Sequence, residues 1–227
     1  SFFGFAPVFS DTSISGDILE YRFEDSTVSS MRGAFTRGSR FAALPYSQTE
    51  ITKIQDLFTK RKISSKIVTH QKALKSVLTS DRLSEYGFVH FASHGFINEV
   101  NPKLSGIGLY NEDSAGIKED ILYSGEIYNL RLNANLVTLS ACKSALGKIE
   151  KGEGVIGLTR GFIYAGARHV LVSLWPVDDR LTSEFMTEFY RNVFTEKNLS
   201  LALQKTQKKW ISQQQTSYPG DWGAFVL

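Results

Sequence analysis

The chain has 227 residues, of which 42% are hydrophobic, and this suits one large soluble α/β domain or two small ones. Its formal net charge of +3 is small, and no stripe of basic residues alternates with aromatic ones, so direct nucleic-acid binding is not expected. The single cysteine cannot form an intrachain disulfide, which fits the cytoplasm, and no apolar run approaches the roughly 20 residues of a membrane span.

The first part of the chain alternates between short apolar runs and amphipathic segments. The apolar run at the start lacks the features of a signal peptide and indicates a strand already under way, so we expect the C-terminal part of a longer protein. In the first predicted helix, Ser47 is expected to be the N-cap, with Glu50 completing a capping box. The predicted strands are residues 2–9, 17–23, 40–44 and 63–69, and the predicted helices are 47–61 and 71–83.

Two compact apolar runs in the middle of the chain each stop at a short polar segment. Residues 88–92 stop at 93–95, and residues 136–139 stop at 140–142. Such runs are typical of central parallel strands that are buried on both faces. The other predicted elements are a hairpin over 104–123 with its turn at 111–116, a helix over 124–130, a polar loop over 143–152, a helix over 155–165 closed by Gly166, a strand over 169–174, helices over 182–194 and 200–212, and a strand over 222–227.

The alternation of strands and helices predicts a three-layer α/β sandwich, with a mostly parallel central sheet and helices on both faces. No internal repeat is visible, so we expect a single domain over residues 1–227. In such sheets ligands bind at the carboxyl ends of the strands, so the segments that follow the two central strands are the first candidates for a site.

His94 and Cys142 follow these two strands. If the strands are neighbours, the two side chains face one cleft, where the imidazole can take the thiol proton and generate the nucleophilic thiolate. Gly95 comes directly after His94, and its lack of a side chain would let a backbone N–H approach a substrate carbonyl as an oxyanion donor.

Other interpretations of these residues remain open. A lone cysteine is often a small buried hydrophobe, and a histidine can be a core residue with satisfied hydrogen bonds. His90 is expected to pack inside its strand, on the same side as His94 by the alternation of side chains. A metal site built from these two histidines is disfavoured, because a four-residue spacing suits a helix and not a strand, and no cofactor is expected. His70 and His169 compete as bases, but neither of them ends a buried strand.

Residues 152–157 match the G-x-G-x-x-G pattern of dinucleotide-binding proteins, and Asp178 lies about 20 residues further on, as such a site requires. The pattern needs its first glycine directly after a strand. Here the polar loop 143–152 intervenes, so a dehydrogenase is disfavoured.

The motifs FASHG, LVTLSACKS, GEGVIGLTRGFIYAGARHVLVSLWPVDD and WGAFVL together resemble the CHAT domain, a family in the clan of caspases and separases. The resemblance runs from about Phe5 to the end of the chain. It implies a caspase-like fold, and it implies a cysteine endopeptidase with a dyad of Cys142 and His94. The oxyanion hole would be formed by the backbone N–H groups of Gly95 and Cys142.

The resemblance also implies a role for Ser173, Leu174 and Trp175, because in related peptidases this strand end pairs with a substrate bound as an extended strand. For Trp175, core packing is an equal alternative. Asp178 is either a further substrate-binding residue or a helix cap, whereas Asp179 is expected to cap the helix that starts near Thr182.

CHAT domains often follow helical repeats, so the resemblance implies an upstream regulatory region, TPR-like in one form, that controls proteolysis, for example in bacterial defence. An alternative function of another class is a non-catalytic interaction or scaffold module whose dyad is idle. The sequence does not fix the residue preferred before the scissile bond.

Overall fold

The computed structural model describes residues 1–9, 41, 43–80, 82–96, 101–141, 153–213 and 218–227. Its main sheet has the strand order β2-β1-β3-β6-β7-β8, in which the first five strands are parallel and β8 is antiparallel. The strands are β1 (Phe2–Ala6), β2 (Ser65–Thr69), β3 (Phe88–Phe96), β4 (Gly106–Asp113), β5 (Gly116–Tyr123), β6 (Leu136–Ala141), β7 (Val170–Ser173) and β8 (Phe225–Val226). The strand predicted at 17–23 lies outside the described residues.

Helices cover both faces of this sheet, as the alternation of elements predicts. They are α1 (Pro45–Thr59), α2 (Lys75–Ser80), α3 (Ser124–Ile127), α4 (Glu153–Tyr164), α5 (Asp179–Val193), α6 (Leu199–Ser212) and α7 (Pro219–Trp222). The described residues form a hydrophobic core on each face of the sheet, and alternating side chains of β1 contribute to both. Phe2 packs with the apolar faces of α1, α5 and α6, whereas Phe3 and Phe5 pack in the core that includes α4. The three-layer α/β sandwich is confirmed.

The predicted hairpin is confirmed. β4 and β5 pair in register from Gly106 with Tyr123 to Asp113 with Gly116, and the turn lies inside the predicted range. β4 also pairs antiparallel with the end of β3, where Gly95 and Phe96 lie opposite Ile107 and Gly106. The hairpin therefore braces the strand end that carries the predicted site. The hydroxyl of Ser93 adds a hydrogen bond of 2.6 Å to the carbonyl oxygen of Gly108.

The helix predicted over 71–83 is wrong as one continuous element. Short 3-10 helices at His70–Lys72 and Leu83–Glu85 flank the six-residue α2. The backbone between them pairs with β4: the N–H of Tyr110 donates to the carbonyl of Ala73 at 3.1 Å. The backbone at Ala73 and Leu74 is thus paired with β4, and the helical pattern is interrupted there.

The predicted cap of α1 is also wrong. The helix begins at Pro45, and Ser47 lies inside its first turn, where the hydroxyl donates to the carbonyl of Leu44 at 2.7 Å. The N–H of Tyr46 donates instead to a carboxylate oxygen of Asp179 at 2.9 Å. A carboxylate from a neighbouring helix thus satisfies an N-terminal donor that the sequence assigned to a local cap.

The ends of other helices follow the sequence more closely. Gly166 closes α4 with a φ of +113°, and an added Cβ there would lie 2.2 Å from the carbonyl oxygen of Leu132, so only glycine fits. α5 is capped by Asp178, whose carboxylate accepts from the N–H of Leu181 at 3.0 Å, and not by Asp179 as predicted. The strand predicted over 222–227 is shorter than expected, because Trp222 still belongs to α7.

Candidate active site

β3 and β6 are adjacent parallel strands in the middle of the sheet, so their carboxyl ends meet at one edge. Phe88 lies opposite Leu136, and the pairing runs in step as far as Phe91 and Leu139. The last partners are His94 and Ala141, so three steps along β3 correspond to two along β6. This one-residue excess is a β-bulge, a feature that re-aims side chains and is common beside active sites.

His94 lies before the end of β3, and not after it as predicted. The strand runs on through Gly95 to Phe96 because the hairpin supplies a second partner for its last residues. The backbone at Gly95 is therefore part of an antiparallel pairing with Ile107. This pairing fixes the position of the segment for which an oxyanion role is predicted.

Aromatic rings enclose the imidazole of His94, which is only 4% exposed. The ring of Phe9 stacks on it at a centroid distance of 5.6 Å and an angle of 25°. Phe41 and Phe96 lie at 5.9 Å and 6.3 Å in tilted arrangements. Contacts of this kind restrict the plane of the imidazole to one orientation. Neither Phe9 nor Phe41 was predicted from the sequence, and no spacing rule would have found them.

Cys142 and the loop 143–152 lie outside the described residues. Ala141, the last described residue of β6, is the register partner of His94. The register thus places the residue that precedes Cys142 in the sequence opposite His94.

His90 is fully buried, as predicted, and occupies a different environment from His94. Its Nε2 lies 2.6 Å from a carboxylate oxygen of Glu50, and its Nδ1 lies 3.2 Å from the hydroxyl of Tyr190. That hydroxyl is 2.9 Å from the hydroxyl of Thr138, the register partner of His90 on β6. We call these four side chains the Glu50–Thr138 network.

One assignment of protons satisfies every contact in the Glu50–Thr138 network. Thr138 donates to the phenol oxygen of Tyr190, which donates to Nδ1 of His90, whose Nε2–H donates to the carboxylate of Glu50. Burial raises the pKa of Tyr190, and the negative charge of Glu50 adds to this effect, so the phenol stays protonated as a donor. The sequence pointed to a capping role for Glu50 and gave no signal that it pairs with His90.

The bulge interrupts the simple alternation of side chains along β3 beyond Phe91. The rings of Phe2 and Tyr190 surround His90, whereas those around His94 belong to a separate cluster with Tyr110 and the hairpin. The expected placement of both histidines on one side rested on uninterrupted alternation, which the bulge breaks.

Neither of the two other histidines lies at the end of β3 or β6. Nδ1 of His169 lies 2.9 Å from the carbonyl oxygen of Asn135, before β7 begins. His70 follows β2, and β1 separates that strand from β3. Among the described residues no group of three or more His, Cys, Asp or Glu side chains could hold a metal ion.

The predicted substrate-binding residues lie around the end of β7. Ser173 is buried opposite Phe225, and the N–H of Leu174 donates to the carbonyl of Ala224 at 2.9 Å. The indole N–H of Trp175 donates to the carbonyl of Gly220 at 3.0 Å, so this half-buried side chain is held by the C-terminal segment. The outer edge of β7 is therefore occupied by the chain itself.

The first turn of α5 follows this strand end. The carboxylate of Asp178 caps this helix, and the residue is exposed. None of the helices in the described parts of the chain is both long and apolar enough to cross a membrane.

Comparison with known proteins agrees with this architecture. Residues 13–227 match the profile of the CHAT domain. Tetratricopeptide repeat protein 28 from Mus musculus is 34% identical over 115 residues, and its counterpart from Homo sapiens is 35% identical over 115 residues. The aligned stretch covers 51% of this chain and 5% of each relative. The match to the family profile covers nearly the whole chain, and we conclude that the chain belongs to the CHAT domain family.

Proposed function

We propose that this chain is a cysteine endopeptidase in which Cys142 is the nucleophile and His94 its proton-transfer partner. The observation that carries the proposal is the register of β3 and β6, in which His94 lies opposite the residue that precedes Cys142. The family supports it, because CHAT domains are related to the caspase-like peptidases. Both residues of the dyad expected in that clan are present in the sequence.

The proposed reaction follows the chemistry of a thiol–imidazole pair. His94 takes the proton of the Cys142 thiol, and the thiolate attacks the scissile carbonyl carbon. The resulting oxyanion is stabilised by the backbone N–H groups of Gly95 and Cys142. His94 then gives its proton to the leaving amine, and water hydrolyses the thioester to regenerate the thiol.

The surroundings of His94 support this role because they hold the imidazole in place before substrate binds. Phe9, Phe41 and Phe96 restrict the ring, and Phe41 is tied to the hairpin by its N–H, which donates to a carboxylate oxygen of Glu119 at 2.7 Å. A base fixed in this way loses little conformational entropy in the transition state.

The substrate is proposed to bind as an extended strand beside the end of β7. Ser173 is the last residue of β7, and β7 pairs with β6, the strand that Cys142 follows in the sequence. The exposed side chain of Leu174, together with Trp175 and Asp178, would line the adjoining pocket. The cap on α5 would hold Asp178 at the rim of that pocket.

We further propose that the chain is one domain, the C-terminal part of a longer cytoplasmic protein, and that an upstream region controls it. The support is that the relatives are named tetratricopeptide repeat protein 28, and that the stretch matching this chain is 5% of each of them. Activity of the isolated domain is then expected to be low and to rise when the upstream region and its trigger are restored.

The test is labelling with a thiol-directed peptide inhibitor whose warhead needs an activated thiolate. We expect irreversible labelling of Cys142 that is lost in His94→Ala and retained in His169→Ala, the matched control at an exposed histidine. Equal labelling of all three proteins would show that His94 does not activate the thiol. That result would favour a non-catalytic interaction module.

A further inference from the structure

A groove of about 800 Å³ lies between α3, α4 and the 3-10 helix at Pro102–Leu104. Tyr128 and Ile156 form its apolar walls, and Gly125 contributes no side chain. Tyr128 is 37% exposed and Ile156 is 45% exposed, although both are large apolar residues. An exposed apolar surface in a concave setting is a common feature of sites that bind a partner.

The apolar surface continues beyond the groove along α4. Tyr164 lies eight residues after Ile156 and so on the same helix face, and it is 76% exposed. Its ring lies 5.3 Å from that of Tyr128. A surface that runs along two helix turns suits an extended or helical peptide better than a compact small molecule.

Lys103 and Arg160 supply the charge of the groove, and both side chains are exposed. Neither has an ion pair or hydrogen bond with any residue in the described part of the chain. By contrast, Nζ of Lys75 lies 2.7 Å from a carboxylate oxygen of Glu126. Two cations that make no such contact with the described residues and lie beside an apolar wall are complementary to carboxylates that flank an apolar residue.

The groove lies close to the edge that carries the proposed dyad. Ser124, on its rim, follows Tyr123, which pairs with Gly106, which in turn pairs with Phe96 at the end of β3. Phe96 and Tyr123 are therefore separated by two strand spacings, about 10 Å. A peptide a few residues longer than the cleaved segment could reach both places.

We propose that this groove binds an acidic segment of the protein substrate, in which an apolar residue lies between Tyr128 and Ile156 and flanking carboxylates pair with Lys103 and Arg160. The proposal rests on the proposed function for the identity of the ligand as a substrate. It adds a second recognition site, away from the scissile bond, which gives affinity and selects substrates by charge.

Binding is measured with Cys142→Ala protein, so that no probe is consumed. The probe is a fluorescein-labelled peptide with one leucine and one phenylalanine flanked by glutamates, and its matched control has lysine at every glutamate position. Fluorescence anisotropy is expected to show saturable binding of the acidic peptide alone. The double change Lys103→Glu and Arg160→Glu is expected to weaken it at least about tenfold and to make the basic peptide the better ligand.

Two further variants separate the groove from general effects of charge. Lys53→Glu changes an exposed cation on α1, on the opposite face of the sheet, and is expected to leave both affinities as they were. Gly125→Leu places an apolar side chain in the groove without changing its charge. The helix can accept this side chain, because an added Cβ there meets nothing within 4 Å. The change is expected to abolish binding of the acidic peptide. Loss of binding in Lys53→Glu, or unchanged binding in Gly125→Leu, would overturn the proposal.

A cleavage assay links the groove to the proposed peptidase. For a substrate that carries the acidic segment beside its cleavage site, the double charge change is expected to raise KM about tenfold with little change in kcat. An unchanged KM would overturn the proposal even if the enzyme is active. Absence of cleavage in every protein, together with reversal of the peptide preference, would contradict the proposed function and leave the groove as a binding site.

Discussion

His90 and His94 lie four residues apart on β3, and the contacts of their side chains differ. His90 is fully enclosed, and both of its ring nitrogens are committed to Glu50 and Tyr190. His94 lies near the end of β3, where aromatic rings pack around it. Its register partner is Ala141, the residue before Cys142. Under the proposed function, His90 stabilises the sheet and His94 moves a proton.

The same contrast holds for β6, because Thr138 lies opposite His90 and comes four residues before Cys142. The Glu50–Thr138 network ties β3 and β6 to α1 and α5 below the site. The bulge after Phe91 separates two parts of this strand pair. We call the Glu50–Thr138 network the lower level, and the strand end with His94 and Gly95 the upper level. Changes at the lower level should therefore cost stability, and changes at the upper level should cost activity.

The largest expected effect is at the upper level. His94→Ala is expected to reduce peptide cleavage on the order of 10³-fold or more, because no other described histidine lies at this strand end. The free energy of unfolding, measured by urea denaturation, should fall by no more than about 2 kcal/mol, the cost of a partly filled aromatic site. His169→Ala is the matched control and should retain full cleavage. Cleavage by His94→Ala at the wild-type rate would remove the difference between the two histidines.

Glu50→Ala tests the lower level. Removing the carboxylate is expected to lower the free energy of unfolding by about 1.5–3 kcal/mol, because the Nε2–H of His90 is then buried without its acceptor. Glu184→Ala, which breaks an exposed pair with Arg180, should cost less than about 1 kcal/mol. Urea denaturation measures both. Equal losses in the two variants would mean that the network contributes little to the fold.

Gly95→Val tests whether the upper level includes the oxyanion donor. A β-branched side chain beside the donor is expected to lower kcat by about 10²–10³-fold, with a smaller change in KM, because the donor acts mainly in the transition state. Gly87→Val, at the other end of β3, is the control, since a Cβ there has its nearest neighbour at 3.8 Å. If Gly95→Val does not fold, Gly95→Ala replaces it. An unchanged kcat in the folded variant would remove Gly95 from the mechanism.

Tyr190→Phe makes a smaller change in the same network, because it removes a single hydroxyl. The lost hydroxyl bridges His90 and Thr138, so the free energy of unfolding should fall by about 1–3 kcal/mol. Cleavage per folded molecule should remain at the wild-type level, because the change lies below the bulge. Chemical denaturation with parallel active-site titration measures the two quantities. A loss of kcat larger than the loss of stability would show that the two levels are coupled.

Tyr190 is also expected to make the free energy of unfolding depend on pH in alkaline solution. Burial raises the pKa of Tyr190 above its usual value of 10.0 in the folded protein, so the folded state holds its proton after the unfolded chain has lost it. Its contribution to stability is therefore complete below about pH 10 and declines as the pH rises further. Burial and the charge of Glu119 shift Tyr110 in the same direction. Tyr190→Phe should make the alkaline decline shallower without removing it, as urea denaturation at several alkaline pH values can measure.

The sequence predicted the elements that depend on local pattern. The two central strands, the hairpin, the four long helices and the glycine that ends α4 are all visible as periodicity or as a turn residue. The sequence also predicted that His90 is packed, because it lies within a continuous apolar run.

What the sequence missed depends on contacts between distant segments. Glu50 pairs with a residue 40 positions away, and Asp179 satisfies the first turn of a helix 133 positions away. The bulge near His94 lies just before the residues of β3 that pair with the hairpin, and no pattern within β3 encodes that partner. Local rules therefore assigned local caps to side chains that serve other elements.

The central claim is that Cys142 and His94 cut a protein, and the most direct test is a proteomic comparison of new N-termini. Wild-type and Cys142→Ala forms of the protein, each with the proposed upstream region, are incubated with the proteins of the same cell. The account predicts a small set of new N-termini that share one sequence context and appear only with the wild-type protein. The same set of termini with both forms, or no new termini with either, would contradict it.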